Sequence, residues 1–187
     1  MDARLRWTER SRELLARCGI FDLYRSRRAA PDGREGDFHV LEAPDWVTVV
    51  PVLSDPVRGP CFLMVRQHRH GADLVTTEFP AGLVDPGEDP RATAARELAE
   101  ETGQRAGRLT PIGRVSPNPA FMSNWCTTFL AEELVPAAGA RQDALELLET
   151  RLVPVGELVE RAGTGEYVNS LVVVSLAWYL RHGGAPA

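Results

Sequence analysis

Apolar and polar positions along the chain change period several times, and each change marks an element. Between residues 3 and 17, Leu5, Leu14, Leu15 and Cys18 stand among arginines and glutamates, which predicts a surface helix. After Gly19 the pattern shifts toward period two. The segments "FDLYRSRR" and "FHVLEA", joined by the turn-rich "AAPDGREG", predict a hairpin. "DWVTVVPVL" and "CFLMVRQH" are apolar and β-branched, with "SDPVRGP" between them, and predict two more strands. Together these segments predict an antiparallel start to a sheet.

Asp89 followed by Pro90, with Gly103 beyond, brackets a helix of about thirteen residues. "RLTPIGRV", "WCTTFLAEEL" and "TRLVPV" then predict strands, and "GELVERA" and "VNSLVVVSLAWYL" predict helices. The last run is shorter than the roughly 20 apolar residues of a membrane span. Strands and helices interleave without a regular strand-helix-strand repeat. The expected fold class is therefore α/β in the α+β sense, a mixed sheet flanked by helices.

Composition narrows the function. The chain has 187 residues and a net charge of -5, which disfavours an electrostatic grip on nucleic acid or an anionic membrane. No nucleic-acid or membrane partner is expected. Cys18, Cys61 and Cys126 are spaced like neither a disulfide framework nor a zinc site, and they read as reduced thiols of a cytoplasmic protein. The arginine-studded first thirty residues lack the apolar core of a signal peptide.

The segment "GLVDPGEDPRATAARELAEETGQ", Gly82 to Gln104, carries six acids. On a helix, Glu97, Glu100 and Glu101 share a sector of about 100°, with Ala95, Leu98, Ala99 and Thr102 as the expected packing stripe nearly opposite. Like charges one turn apart repel by ~0.2 to 0.5 kcal/mol per pair. A hard dication such as Mg²⁺ or Mn²⁺ turns that repulsion into attraction. Taken alone, the cluster fits a solvated acidic face better than a metal site.

The spacing around it reverses that order. Gly82, Glu88, Arg96-Glu97-Leu98, Glu100-Glu101 and Gly103 resemble the signature box of the Nudix hydrolases at every fixed position except the last, where Gln104 replaces an aliphatic residue. Seven specified residues and one aliphatic recur at this spacing by chance roughly once in a million sequences. The resemblance implies that Glu97 and Glu101 are the principal Mg²⁺ ligands, with Mn²⁺ as a substitute, and that Glu100 contributes to a further ion. It also implies that Arg96 orients the carboxylates, that Gly82 lets the backbone approach so that the Ala81 carbonyl reaches a cation, and that Glu88 steadies the loop. Gln104 lies outside the ligand set, so its expected cost is in packing.

The flanks resemble the ADP-ribose and nucleotide-sugar pyrophosphatase branch of that family: "EFPAGLVDPGE", "VRQHRHG", "SPNPAFMSNWCTTFLAEEL" and the C-terminal "LVPVGELVERAGTGEYVNSLVVVSLAWYL". The resemblance spans about residues 20 to 182. It implies a Nudix-type α/β/α sandwich over 46–187, preceded by a helix and β-hairpin extension over 1–45 that forms a homodimer. The implied substrate is a nucleoside diphosphate linked to a sugar, cleaved by metal-activated water to a nucleoside monophosphate and a sugar phosphate. Arg69, and behind it Arg66, are the implied phosphate or ribose contacts. Trp46 is either a nucleobase-stacking residue or a core residue. Asn118 and Pro119 shape the substrate loop. The implied general base is Glu146, ahead of Asp143 and Glu149, with an exposed acidic loop as the alternative. His68 and His70 read as pocket or structural residues, because an oxygen-preferring ion does not need them. The rival functions are a nucleoside-triphosphate or dinucleotide hydrolase and a non-catalytic ADP-ribose sensor. The sensor predicts a degraded box and an attached DNA-binding domain, and the sequence shows neither. An isopentenyl diphosphate isomerase would need a Cys and Glu pair with no convincing counterpart here.

Overall fold

The structure is a computed structural model and describes residues 2–137 and 147–183. Backbone contacts divide the chain into two compact units, Met1–Asp45 with Ser116–Trp125, and Trp46–Val115 with Cys126–Ala187.

In the first unit a single 3-10 turn, Ala3–Leu5, is followed by β1 (Thr8–Arg17), β2 (Asp22–Ala29) and β3 (Glu35–Glu42). They form an antiparallel sheet in the order β1-β2-β3. The helix expected over residues 3–17 is therefore a strand for most of its length. "TERSRELLAR" is rich in good helix formers, but a weak propensity yields to pairing along a whole neighbouring strand. The pairing runs from Thr8 opposite Ala29 to Arg17 opposite Asp22, with irregularities at Glu9/Ser11 and Leu14/Ala16. Each irregularity resets the alternation of side chains, which erases the period-two signal. Glu9 meets Arg28 at 3.3 Å across the strands, and Glu13 meets Arg25.

The second unit contains β4 (Trp46–Asp55), β5 (Gly59–Arg69), β6 (Leu74–Glu78), β7 (Ala81–Leu83), α1 (Pro90–Thr102), β8 (Gln104–Val115), β9 (Cys126–Pro136), β10 (Leu148–Pro154), α2 (Val155–Arg161) and α3 (Ser170–Arg181). Its sheet runs β10-β5-β4-β9-β8, with β6 added on β5 and β7 on β4. β4 and β9 are parallel and the other pairs antiparallel, so the sheet is mixed.

Alternation on β4 sorts the two cores. Val47 and Val49 pack with Phe129, Ala131 and the α1 residues Ala94 and Leu98. Val50 packs on the other face with Phe62, Met64, Leu158, Tyr167, Leu176 and Tyr179. The result is an α/β/α sandwich, α1 on one face and α2 with α3 on the other. Phe62 meets Phe79 and Tyr179 edge to face at 5.2 and 4.9 Å, contacts worth about 0.5 to 1.5 kcal/mol each beyond burial. Among the described residues no helix is long and apolar enough to cross a membrane. Cys61 and Cys126 are buried and Cys18 is exposed, all three free.

Candidate active site

The helix that carries the acids starts and stops where its end residues dictate. The Asp89 side chain accepts from Arg91 N–H at 2.8 Å, Pro90 occupies the first turn, and Gly103 ends the helix at φ 66°. The buried residues of α1 are Thr93, Ala94, Glu97, Leu98 and Glu101. Around the axis they fall at about 0°, 100°, 40°, 140° and 80°, so both glutamates lie inside the packing arc. The expected stripe opposite the acids is thus corrected: Ala95 is exposed, and of that set only Leu98 is buried. Hydropathy assigns burial to apolar side chains and misses a carboxylate buried for its chemistry.

Gly82 on β7 makes that burial possible. A Cβ built there would overlap the Glu97 carboxylate, so only glycine lets strand and acid come this close. Glu97 is 9% exposed and Glu101 2%. Ala81 N–H donates to Glu101 Oε2 at 3.3 Å, so the backbone beside Gly82 already faces the second acid.

Arg96 ties the remaining acids together. Its Nη1 donates to Glu97 Oε1 at 2.8 Å and to Glu100 Oε2 at 3.0 Å, and its Nε and Nη2 fork onto Glu88 at 3.3 and 3.1 Å. Nη2 also reaches the Leu83 carbonyl. Glu88 in turn accepts from Thr93 Oγ1 at 2.8 Å. The hydrogen bonds from Arg96 and then Thr93 hold the Glu88 carboxyl below the usual glutamate range, and the bond to Glu88 pushes the Arg96 guanidinium up. Glu88 therefore fastens the loop to the helix. One guanidinium shared by Glu88, Glu97 and Glu100, with Glu101 beside them, leaves the site net negative.

The donors are all oxygen, two of them buried carboxylates, and this set suits a hard divalent cation. Among the described residues no three acidic, histidine or cysteine side chains already converge on a point. Glu97 and Glu100 are bridged by Arg96 instead.

The other expected contacts are dispersed along the chain. Arg66 and Arg69 are three apart on β5 and so point to opposite faces. Arg66 pairs with Glu149 at 3.1 Å and lies 3.7 Å from Glu166, on the face of Phe62 and Met64. Arg69 forks onto Glu78, Nε to Oε1 at 3.0 Å and Nη2 to Oε2 at 2.7 Å. Glu149 is exposed at the start of β10. Glu146 and Asp143 lie outside the described residues. Trp46 opens β4, half-buried, its Nε1 buried without a hydrogen-bond partner among the described residues. Its place in the alternation puts it on the α3 side of the sheet. Asn118, in the first unit, accepts from Ala120 N–H at 3.3 Å and, through its carbonyl, from Met122 N–H at 2.8 Å, so it forms the turn before Cys126. Gln104 opens β8 opposite Pro136, and its N–H donates to Thr102 Oγ1.

Glu78 escaped the sequence reading. It is 3% exposed and accepts from Thr76 Oγ1 at 2.6 Å as well as from Arg69. Burial opposes its ionisation, yet Arg69, Asn169 and Thr76 together hold the carboxyl below the usual range. The available signal was an acid closing an apolar strand, "LVTTEFP".

Comparison with known proteins places this geometry. The NUDIX domain family matches residues 44–170. The ADP-ribose pyrophosphatase of Bacillus subtilis is 33% identical over 145 residues, 75% of this chain and 76% of that protein. A CMP-5'-(N-acetyl-N-hydroxy-3-aminopropyl)phosphonate hydrolase of Streptomyces rubellomurinus is 34% identical over 155 residues, 83% of this chain and 73% of that one. The crystal structure of an ADP compounds hydrolase superposes with a TM-score of 0.82 over 97% of this chain and 98% of its own, at 24% identity.

Proposed function

This chain belongs to the Nudix family of pyrophosphohydrolases, acting on phosphoanhydrides, and on that premise we propose that it splits the pyrophosphate of ADP-ribose or a related nucleoside diphosphate sugar, with Mg²⁺ as cofactor. The products are a nucleoside monophosphate and a sugar phosphate. The observation that carries the reading is the burial of Glu97 against Gly82 and of Glu101 beside the Ala81 N–H, in a box whose other fixed acids are gathered by Arg96.

In this reading Glu97 and Glu101 hold the cation, Glu100 stands beside them, and the Ala81 carbonyl completes the protein's share. Bound Mg²⁺ supplies an acidified water and offsets charge on the phosphate oxygens. Arg96 keeps Glu97 and Glu100 oriented by charge-assisted hydrogen bonds. Arg69, held by Glu78, presents a guanidinium to phosphate, whereas the buried Nε1 of Trp46 and its place on the α3 side of the sheet favour the core reading over nucleobase stacking. Glu146 is assigned as the base that takes a proton from the attacking water.

The Streptomyces relative widens the choice of nucleobase, so the test is a panel: ADP-ribose, ADP-glucose, GDP-mannose, UDP-glucose and a CDP-linked alcohol, each with Mg²⁺. Release of a nucleoside monophosphate, abolished by Glu101→Gln, is the expected result. Tight binding of one compound without turnover of any would replace the hydrolase reading with a sensor. We further propose that the protein is a cytoplasmic homodimer. β1 is exposed along nearly its whole length and displays Leu14 and Leu15, and such an edge calls for a cover. A monomeric mass by light scattering at micromolar concentration would contradict it.

A further inference from the structure

We propose that His68 and His70 chelate a first-row transition-metal dication of the Zn²⁺ and Cu²⁺ class, at a site separate from the carboxylates of α1. His68 is next to last in β5 and His70 is the first residue of the turn that follows, so the turn, and not strand alternation, brings the two rings together. Their ring centroids are 5.0 Å apart and the planes are inclined at 76°. Two imidazoles on one tetrahedral cation, with metal to nitrogen distances of about 2.0 to 2.1 Å, place their centroids about 5 Å apart. The spacing a chelate needs is therefore already present.

Asp73 supplies the rest of the arrangement. It sits in the turn to β6 at φ 54°, a left-handed conformation that aspartate tolerates. Its Oδ1 lies 3.1 Å from His68 Nε2. That contact occupies one nitrogen of His68, leaves Nδ1 for a metal, and orients the ring in the manner of a carboxylate behind a metal-bound histidine. Both histidines are exposed, so the site is open to entry. Two protein ligands leave the remaining positions to water, in keeping with no three side chains converging among the described residues. Imidazole selects Zn²⁺, Cu²⁺ and Ni²⁺ over Mg²⁺, so the two sites sort cations by donor type. Arg66 leaves the same face of β5 as His68, but its guanidinium is taken up by Glu149.

The test uses the full chain in excess Mg²⁺, which saturates oxygen ligands, titrated with Cu²⁺ and followed by electron paramagnetic resonance and by competition with a chromophoric chelator. One Cu²⁺ coupled to two imidazole nitrogens is expected, and Zn²⁺ competes with it only in large excess, as the relative affinities of the two ions for nitrogen donors require. His68→Ala and His70→Ala each weaken binding by about 100-fold, because the second ligand of a chelate acts at high effective concentration. Asp73→Asn weakens it about tenfold. His39→Ala and His182→Ala leave it unchanged. A copper signal without imidazole coupling, or a single-histidine variant with wild-type affinity and an unaltered thermal melt, overturns the proposal and leaves an edge-to-face ring pair only.

Discussion

Gly82→Ala isolates the close approach of β7 to Glu97. The backbone at this position has no left-handed φ, so alanine is conformationally welcome. In open space the change would stabilise the fold by about 0.4 to 1 kcal/mol through the unfolded chain. Here the three atoms nearest the new Cβ all belong to the Glu97 side chain. The acid must rotate away, giving up its 2.8 Å bond from Arg96. A hydrogen bond to a charged group is worth about 1.5 to 3 kcal/mol, and the partial exposure of Arg96 lowers that figure. Net destabilisation of about 1 kcal/mol remains, a fall of about 2 to 4 °C in Tm. Activity suffers far more, about 100-fold in kcat/KM, because a misplacement near 1 Å is enough for such a loss. Circular dichroism melts and an assay of nucleoside monophosphate release measure the two effects. In a Glu97→Ala background the clash is gone, and Gly82→Ala should then stabilise the fold. Wild-type activity in Gly82→Ala, or destabilisation that persists without Glu97, would refute the steric argument.

Other expectations follow from the Arg69 and Glu78 pair. Arg69→Ala leaves Glu78 buried without its main partner. The 3 to 5 kcal/mol typical of a broken buried pair shrinks to about 1 to 3, because the arginine side chain is 42% exposed. Urea denaturation measures it. The lowered carboxyl of Glu78 stabilises the fold fully above the ordinary glutamate pKa of about 4.3 and progressively less as pH falls below it. The urea midpoint should hold from pH 7 to about 5 and then drop, with a shallower drop in Glu78→Gln. Asn169→Asp keeps the cap of α3, since Asn169 Oδ1 accepts from Leu171 N–H at 2.9 Å, but sets a second charge against Glu78. At pH 7 it should lower Tm by a few degrees, and less at pH 4.

How much was legible in the sequence depended on whether local chemistry or distant pairing decided each element. Helix α1 was readable to the residue because Asp89, Pro90 and Gly103 fix both ends. β4, β5, β8, β9 and β10 were readable from their apolar, β-branched runs, whereas β6 and β7, five and three residues long, were too short to show a period. β1 was not, since two irregularities and a helix-prone composition concealed a strand that only β2 specifies. In the site, the fixed spacing from Gly82 to Gly103 identified the acids but misassigned their face. Burial of Glu97 depends on a missing Cβ at Gly82 on β7, and Glu101 is buried beside the Ala81 N–H of that strand, which no periodicity within the helix encodes. Glu78 went unseen for a related reason: its partners Arg69 and Asn169 come from β5 and from the start of α3.

The amide of Asn169 works in two directions, its oxygen toward the first turn of α3 and its side chain toward Glu78. The family match ends one residue later, at 170. A fragment cut at that border would keep every acid of the box and lose Val172, Leu176 and Tyr179, which cover Phe62 and Met64. It would also lose the helix that holds Asn169 in place. The last dozen residues of secondary structure thus belong to the catalytic unit, and a minimal expressed domain has to reach Arg181.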